Sequence, residues 1–439
     1  MLRRTFGGAS AADWMTAALI LGAALTLFGW RIAIPDNLVF DETHYVPAGK
    51  AFFQLEGWTN KSHPPFAKWL IGLSISIFGD NSFAWRLPSA IFGSLTVFSV
   101  FAVMRLFGFT IGQGVAAAFL TLVNQTLFVQ ARVGMLDAPA LGLFALSVLC
   151  FVWAGKRIRS RNGAMLGLIL SGVFLGLGAA TKWTTGINMI LIWMGVAIWR
   201  FSESSPNGVF LPRIFGAGFA GWRHFSFVGA GLRQGLPALA VYALTFAPFI
   251  LMQGQWSIID LHLGMFNDVA GDLAPHDHQS RWWQWPFIGE PIWYHFADAP
   301  GRQTGDERLW DTAIFYVGNP VVYWAGIPAV LACIAIGLKR ADGAMLAASG
   351  AYLAFWLVWA IIPRELTFAF YFEPSAAILG MCITIMIARI LPVKMQSMAL
   401  ILWCLAAGLM FAYFYPVLSG EVLAKDEWLR WVWFKFWLQ

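Results

Sequence analysis

The chain has 439 residues, of which 59% are hydrophobic and only 12% charged, with a mean hydropathy of +0.65. A soluble domain carries about 25% charged residues, so a water-soluble enzyme is excluded and an integral membrane protein is expected. The net charge of +6 would suggest nucleic acid or acidic lipid if it were clustered, but its distribution follows the membrane sides instead.

In chain order, Arg3 and Arg4 precede an apolar run from about 14 to 34. It is long enough to span and is followed by more spans, so it reads as an uncleaved first helix rather than a signal peptide. Further apolar stretches lie near 83–104, 113–130, 136–154, 163–180, 183–199, 235–253, 321–338, 343–362, 367–388 and 396–416. The expectation is an all-α integral membrane protein with about eleven transmembrane helices. Residues 66–78 are too short to span and fit an interfacial helix. The tail from Ser419 to Gln439 alternates Trp428, Trp431, Trp433 and Trp437 with Lys425, Arg430 and Lys435, the pattern of an interfacial amphipathic helix. The organisation expected is a transmembrane catalytic region over 1–254, an external Trp-rich loop over 255–320, and a transmembrane region with an interfacial tail over 321–439. Cys150, Cys333, Cys382 and Cys404 all lie in apolar runs and read as buried hydrophobes, with no disulfide framework.

Threading eleven spans from a cytoplasmic N-terminus sorts the charges. The inner side receives Arg3, Arg4, Arg105, the cluster Lys156, Arg157, Arg159 and Arg161, then Arg200, Arg213, Arg223, Arg233, Lys339, Arg340, Arg389 and Lys394. Only Asp13, Glu203 and Asp342 accompany them. Basic residues beside short loops mark the cytoplasmic face. Topology thus accounts for the positive charge, and a nucleic-acid partner is unnecessary. The other side holds two large external regions, about 35–82 and about 254–320.

Charge is expensive in a bilayer, so polar clusters beside the spans are the places to look for chemistry. The first is Val39-Phe40-Asp41-Glu42-Thr43-His44-Tyr45 with His63-Pro64-Pro65-Phe66-Ala67-Lys68-Trp69. Asp41, Glu42, His63, Lys68, Arg132, Asp137, Lys182 and Arg364 all fall on the outer face. Singly, the acidic pair reads as a solvated loop and each cation as a snorkelling side chain at a span end. Together they describe a face able to hold a phosphate-bearing lipid and deprotonate an acceptor hydroxyl. The chain has no GK[ST] phosphate loop, no HExxH and no GxSxG. His276-Asp277-His278, and His44 near His63, offer only loose metal-ligand spacings in wet loops. No metal and no cofactor is assigned.

VFDETHY, SHPPFAKWLIG, ARVGMLDAP and ATKWTTG, in this order, resemble the protein O-mannosyltransferases that use a polyprenyl-phosphate sugar donor. HDHQSRWWQWPFIGEPIWYHF followed by YVGNPVVYW resembles the C-terminal four-helix region of the bacterial members. The resemblance covers roughly 31–391. It implies a type C glycosyltransferase fold in the bacterial inner (cytoplasmic) membrane, multi-pass, with the active site facing the periplasm or exterior. The family's acidic pair maps onto Asp41-Glu42, its HPPxGK onto His63 to Lys68, and its arginine-to-LD motif onto Arg132 and Leu136-Asp137. Ala67 stands where the family usually has Gly, and Ala131 where it often has Ser. Phe370-Tyr371-Phe372-Glu373-Pro374 stands near a usual YHYxP, with Tyr371 for the histidine and Glu373 as an extra acid.

The expected function is an inverting, metal-independent transfer of a sugar, with mannose implied, from a polyprenyl-phosphate donor to Ser/Thr hydroxyls of an exported protein. Asp41 is the expected general base, and Glu42 positions the acceptor or holds the surroundings of Asp41. Arg132, Lys182 and Arg364 stabilise the departing phosphate, with His63, Lys68 and Asp137 in support. The Trp282-Trp283-Gln284-Trp285 run either closes over the acceptor or packs at the membrane interface. Rival readings are a transferase acting on lipid A, another lipid or a cell-surface glycan, and a lipid-linked sugar flippase. A transporter would favour charges at mid-membrane depth, whereas these gather at outer helix ends.

Overall fold

The computed structural model describes residues 9–57, 59–156, 160–202, 224–249, 258–271, 275–298, 310–362 and 364–438. Arg3, Arg4, Arg157, Arg159, Arg213, Arg223 and Glu203 of the charge map, and much of the loops 200–234 and 254–320, lie outside these residues.

The N-terminal half comprises α1 (Ala11–Gly29), α2 (Glu42–Phe53), α3 (Phe66–Phe78), α4 (Ser82–Leu106), α5 (Ile111–Leu122), α6 (Gln125–Gln130), α7 (Asp137–Lys156), α8 (Arg161–Ala179), α9 (Thr184–Ser202) and α10 (Phe227–Leu244). A further helix, α11 (Ile258–Ala270), precedes strands β1 (Ile292–Asp298) and β2 (Trp310–Tyr316). Then follow α12 (Pro320–Arg340), α13 (Gly343–Leu357), α14 (Glu373–Ile390), α15 (Val393–Ser419) and strand β3 (Val422–Ala424).

Eight helices among the described residues are long and apolar enough to cross a membrane, rather than the eleven expected. Residues 113–130 account for one difference: the helix breaks at Val123 and Asn124 into α5 and the short α6. The other two expected spans correspond to α9 and α10, which form but are not among the eight. α10 carries Arg233 and Gln234, and Gln234 is satisfied inside the bundle by Trp193 and Ser171.

The chain is mostly helical but not all-α. β1, β2 and β3 form an antiparallel sheet in that order, with Ile292 opposite Tyr316 and Thr312 opposite Val422. The tail is therefore a strand followed by two 3₁₀ turns, Glu427–Trp431 and Lys435–Leu438, and not an amphipathic helix. Pairing with β2 satisfies its backbone, and two of its four indoles turn inward. Trp431 and Trp437 are buried, and the Trp437 Nε1–H donates to the Ile288 carbonyl at 2.9 Å.

Opposite helix ends separate the two polar faces. At one end, Arg105 on α4 bonds Asp13 on α1 at 2.6 Å, Arg389 bonds Asp342 at 2.9 Å, and Lys156 lies over the Phe107 ring. At the other end stand the starts of α2, α7, α9 and α14, which carry Asp41–Glu42, Asp137, Thr184 and Glu373. Close packing fixes these starts relative to one another. α2 and α3 cross at Gly49 and Gly72, where a β-carbon on Gly72 would collide with the Gly49 carbonyl. α5 and α14 meet similarly, with the Thr121 hydroxyl reaching the Ala377 carbonyl at 3.3 Å.

Candidate active site

The acidic pair sits at the start of α2, with Asp41 just before the first helical residue and Glu42 as that residue. The two carboxylates have opposite environments. Glu42 is fully buried and gripped by Arg86 of α4, with Nε to Oε1 at 2.7 Å and Nη2 to Oε2 at 3.0 Å. The Gly134 N–H donates to Oε1 at 2.7 Å and the Val39 N–H to Oε2 at 2.9 Å. Arg86 spends its remaining donors on the Ile32, Pro35 and Asn37 carbonyls. All five guanidinium N–H groups are thereby used. A β-carbon at position 134 would come within 3.1 Å of the Trp85 carbonyl and 3.3 Å of Glu42 Oε1. A β-carbon there would need both neighbours to give by a few tenths of an ångström.

Asp41 is only half-buried. The Tyr45 hydroxyl, one helical turn on, lies near enough to favour its charged form, and Lys182 and Asp137 lie within electrostatic range. Burial pushes its carboxyl above the usual carboxylate range, and Lys182 partly opposes that shift. Phe40, just before it, is held at a positive φ of 47°, a strained setting for an aromatic residue. The Tyr294 ring of β1 stacks on Phe40 at 4.2 Å and 5°, and the Tyr294 hydroxyl is fixed by Gln130 Nε2 at 2.7 Å. The external sheet thus braces the turn that presents Asp41.

Lys182, just before α9, reaches Asp137, the first residue of α7. Its ammonium contacts Oδ1 at 2.8 Å and Oδ2 at 2.9 Å, with both side chains 8% exposed. The ammonium also faces the Phe370 ring at 5.0 Å and the Tyr371 ring at 5.6 Å. Arg364 lies over Tyr371 at 5.2 Å, and Trp359 stacks on the same tyrosine at 4.5 Å. Asp137, Lys182, Thr185, Asn188, Tyr371 and Glu373 help line a cleft that is open to the surface. Its lining on α7 extends from Asp137 to Phe144.

His63 is half-buried, its ring 6.4 Å from Tyr45. Burial first, then Lys182, Lys68 and Arg364, hold its imidazole well below the usual range and hence neutral at physiological pH. Lys68 is buried and donates to the Asn60 and His63 carbonyls at 2.5 and 2.8 Å. Its ammonium, pulled down to about 7 by burial, ties the loop that carries His63. The Phe66 N–H donates to the Ala180 carbonyl at 2.9 Å, which joins this loop to the segment bearing Lys182.

The structure therefore brings together Asp41, Asp137, Lys182, His63 and Arg364, with Lys68 beneath. It does not bring Arg132 to them. The Arg132 guanidinium turns to the Phe28, Trp30 and Arg31 carbonyls at the end of α1, with Phe28 at 3.0 Å and Arg31 at 3.0 Å. Those carbonyls have no further turn of helix to accept from, so the arginine caps them. The residue expected to contact the donor phosphate is thus engaged with the end of α1 in this geometry and stands apart from the Asp137–Lys182 pair. Likewise Glu42 is spent on Arg86 and on backbone N–H groups, so it has no lone pair turned to an acceptor. His276 Nδ1 accepts from the His278 N–H at 3.1 Å and its ring packs on Phe368. The tryptophan run packs against the cleft wall: Trp285 meets Trp359 and Tyr371 edge-on, and the Trp282 carbonyl accepts from Trp356 at 2.7 Å.

Two family profiles match along the chain. One, described as dolichyl-phosphate-mannose-protein mannosyltransferase, covers residues 62–209, and the other, the C-terminal four TMM region of protein-O-mannosyltransferase, covers 255–437. The chain belongs to the protein O-mannosyltransferase family. A polyprenol-phosphate-mannose–protein mannosyltransferase of Mycobacterium tuberculosis is 26% identical over 97% of this chain and 92% of its own length. In fold, the chain resembles the S. cerevisiae protein O-mannosyltransferase Pmt1-Pmt2 complex bound to the sugar donor, with a TM-score of 0.78 at 13% identity, covering 99% of this chain and 93% of that one. ArnT from Cupriavidus metallidurans bound to undecaprenyl phosphate gives 0.59 at 14% identity, covering 94% and 77%. The mannosyltransferase thus has the type C glycosyltransferase fold in a multi-pass membrane protein.

Sequence reasoning missed Arg86 and Tyr45. Arg86 had a usable signal: a lone charge four residues into an apolar span is too costly to leave unpaired, and Glu42 is an acid awaiting such a partner. Tyr45 had a weaker one, its i+4 spacing from Asp41 on a helix.

Proposed function

We propose that this mannosyltransferase transfers mannose from a polyprenyl-phosphate donor to Ser/Thr hydroxyls of an exported protein, at the outer face of a bacterial cytoplasmic membrane. The observation that carries the site reading is the placement of the half-buried Asp41 within electrostatic range of the Asp137–Lys182 pair, which lines the cleft. Asp41 is the general base. As the acceptor oxygen attacks the anomeric carbon, its proton passes to the Asp41 carboxylate. The bond from that carbon to the phosphate oxygen breaks, the configuration inverts, and polyprenyl phosphate leaves without needing a proton. A positioned base contributes about 10² to 10⁴ in rate.

Lys182 has three donors, of which Asp137 takes two, so one remains for a phosphate oxygen. The first turn of α9, with Thr184 and Thr185, adds the positive end of a helix dipole. Arg364 supplies a second cation from the side of Tyr371. Asp137 orients Lys182, and the Glu42–Arg86 pair holds the turn that presents Asp41. Neutral His63 adds no charge to compete with Lys182. The sidedness rests on the excess of basic residues at the opposite helix ends.

The deciding experiment offers purified protein polyprenyl-phosphate-mannose with a Ser/Thr-rich peptide, and separately with lipid acceptors, and reads the products by mass. Mannosylated peptide is expected. Mannose found only on lipid would replace the protein acceptor with a lipid one.

A further inference from the structure

Glu373 is a buried acid that the reaction just described does not use. It opens α14, is 3% exposed, and forms part of the wall of the cleft whose other wall carries Asp137 and Lys182. Its Oε1 accepts from the Tyr316 hydroxyl at 2.9 Å, but its Oε2 has no hydrogen-bond partner among the described residues. The Thr126 hydroxyl lies near the same carboxylate. That hydroxyl is engaged with Asn124 Oδ1 at 3.2 Å and the Tyr323 hydroxyl at 3.1 Å. A buried carboxylate oxygen left unpaired is costly, and an orphan of this kind on a residue that lines a cleft calls for a donor. The residue is also extra to the motif that this stretch otherwise resembles, so the motif itself does not account for it.

We propose that Glu373 is a sugar-recognising residue whose Oε2 accepts a hydrogen bond from a hydroxyl of the hexose on the lipid-phosphate donor. This inference rests on the donor reading above. Of the three parts of such a donor, the polyprenyl chain has no hydrogen-bond donors and the phosphate is an anion that a carboxylate repels. Only the sugar offers O–H groups. The cleft arranges these parts consistently, with the cation and the α9 start for the phosphate and the carboxylate beside Tyr371 for the sugar. Tyr316 holds Oε1, so the direction of Oε2 is set before the donor arrives, which is what discrimination between sugars requires.

The test compares kcat/KM for polyprenyl-phosphate-mannose and its 3-, 4- and 6-deoxy analogues in the wild type and in Glu373→Leu. One analogue is expected to lose at least about tenfold in the wild type, because a site built to bond a hydroxyl rejects the analogue lacking it. In Glu373→Leu the penalty for that analogue should shrink to about twofold or less, with the other analogues unchanged. Glu373→Gln, which keeps the volume, replaces leucine if that variant does not fold, and there the penalty should shrink by at least about threefold. A wild type that transfers mannose with a flat deoxy profile overturns this inference and leaves the proposed function standing. An analogue penalty that survives unchanged in the variants overturns it too. A wild type that transfers no mannose overturns the proposed function. Displacement of labelled polyprenyl phosphate by polyprenyl-phosphate-mannose then decides this inference: weaker displacement from Glu373→Leu supports it, and equal displacement sinks it.

Discussion

The Arg86 guanidinium holds both oxygens of Glu42 in a fully buried fork, from a helix that begins forty residues further along the chain. Two adjacent acids are thereby made unlike, Glu42 locked in the frame and Asp41 left half-buried at the start of α2.

Breaking that fork should unfold the site before it affects chemistry. Removing one partner of a buried pair leaves an uncompensated charge and typically costs about 3–5 kcal/mol. Arg86→Gln is expected to lower the melting temperature in detergent markedly. Arg86→Lys should rescue little, because an ammonium cannot reproduce the two parallel bonds. A lysine variant melting like the wild type would show that the fork is dispensable.

Asp41→Asn should do the reverse. It removes the base, so transfer is expected to fall by at least about a hundredfold while donor binding persists. Burial raises the Asp41 pKa in the folded state, so the stability associated with the protonated form is lost as pH rises through that value. Asparagine stays neutral and should melt at the same temperature or higher at pH 7. An inactive variant that also melts well below the wild type would point to a structural carboxylate instead.

The same raised pKa sets the pH profile. The base works only when ionised, so kcat/KM should fall about tenfold per unit on the acid side. Because burial outweighs the help of Lys182, that limb should lie above the ordinary aspartate value of about 3.9. An acid limb below that value, measured in a range where the protein stays folded, would contradict the burial argument. Activity should also survive EDTA, since Lys182, Arg364 and the α9 start supply the positive charge at the phosphate.

Arg132 and Lys182 should separate cleanly. Arg132→Ala removes the cap on α1 and is expected to lower stability, with the donor KM changed by less than about twofold. Lys182→Met should raise the donor KM by tenfold or more, in keeping with a charge-assisted bond to phosphate. Titration of the donor against both purified variants reads this directly, and a reversed pattern would return Arg132 to the phosphate.

Sidedness is open to labelling. With the four native cysteines replaced, a cysteine at the exposed Glu56 should react with an impermeant maleimide added outside intact cells. One at the exposed Arg161 should react only after permeabilisation. The opposite labelling would place the acidic pair on the cytoplasmic side.

By itself the sequence determined the solvent of this protein, most of its spans and the stretches where chemistry gathers. Hydropathy is summed over neighbouring residues, so a window of about twenty reads it directly, and the ordered motifs around Asp41, His63, Asp137 and Lys182 are equally local. Only the tertiary structure decided which residues in those stretches are held by the frame and which stand at the cleft. Glu42 was taken out of play by Arg86 at a separation of 44 residues and by the Gly134 N–H at 92, while Asp137 was joined to Lys182 at 45. Arg132 found the end of α1 about a hundred residues back, and the tryptophan tail found a strand partner in β2 in place of a helix of its own. A buried charge must be neutralised by whatever the fold brings near it, and in a bundle of long helices that partner comes from another span.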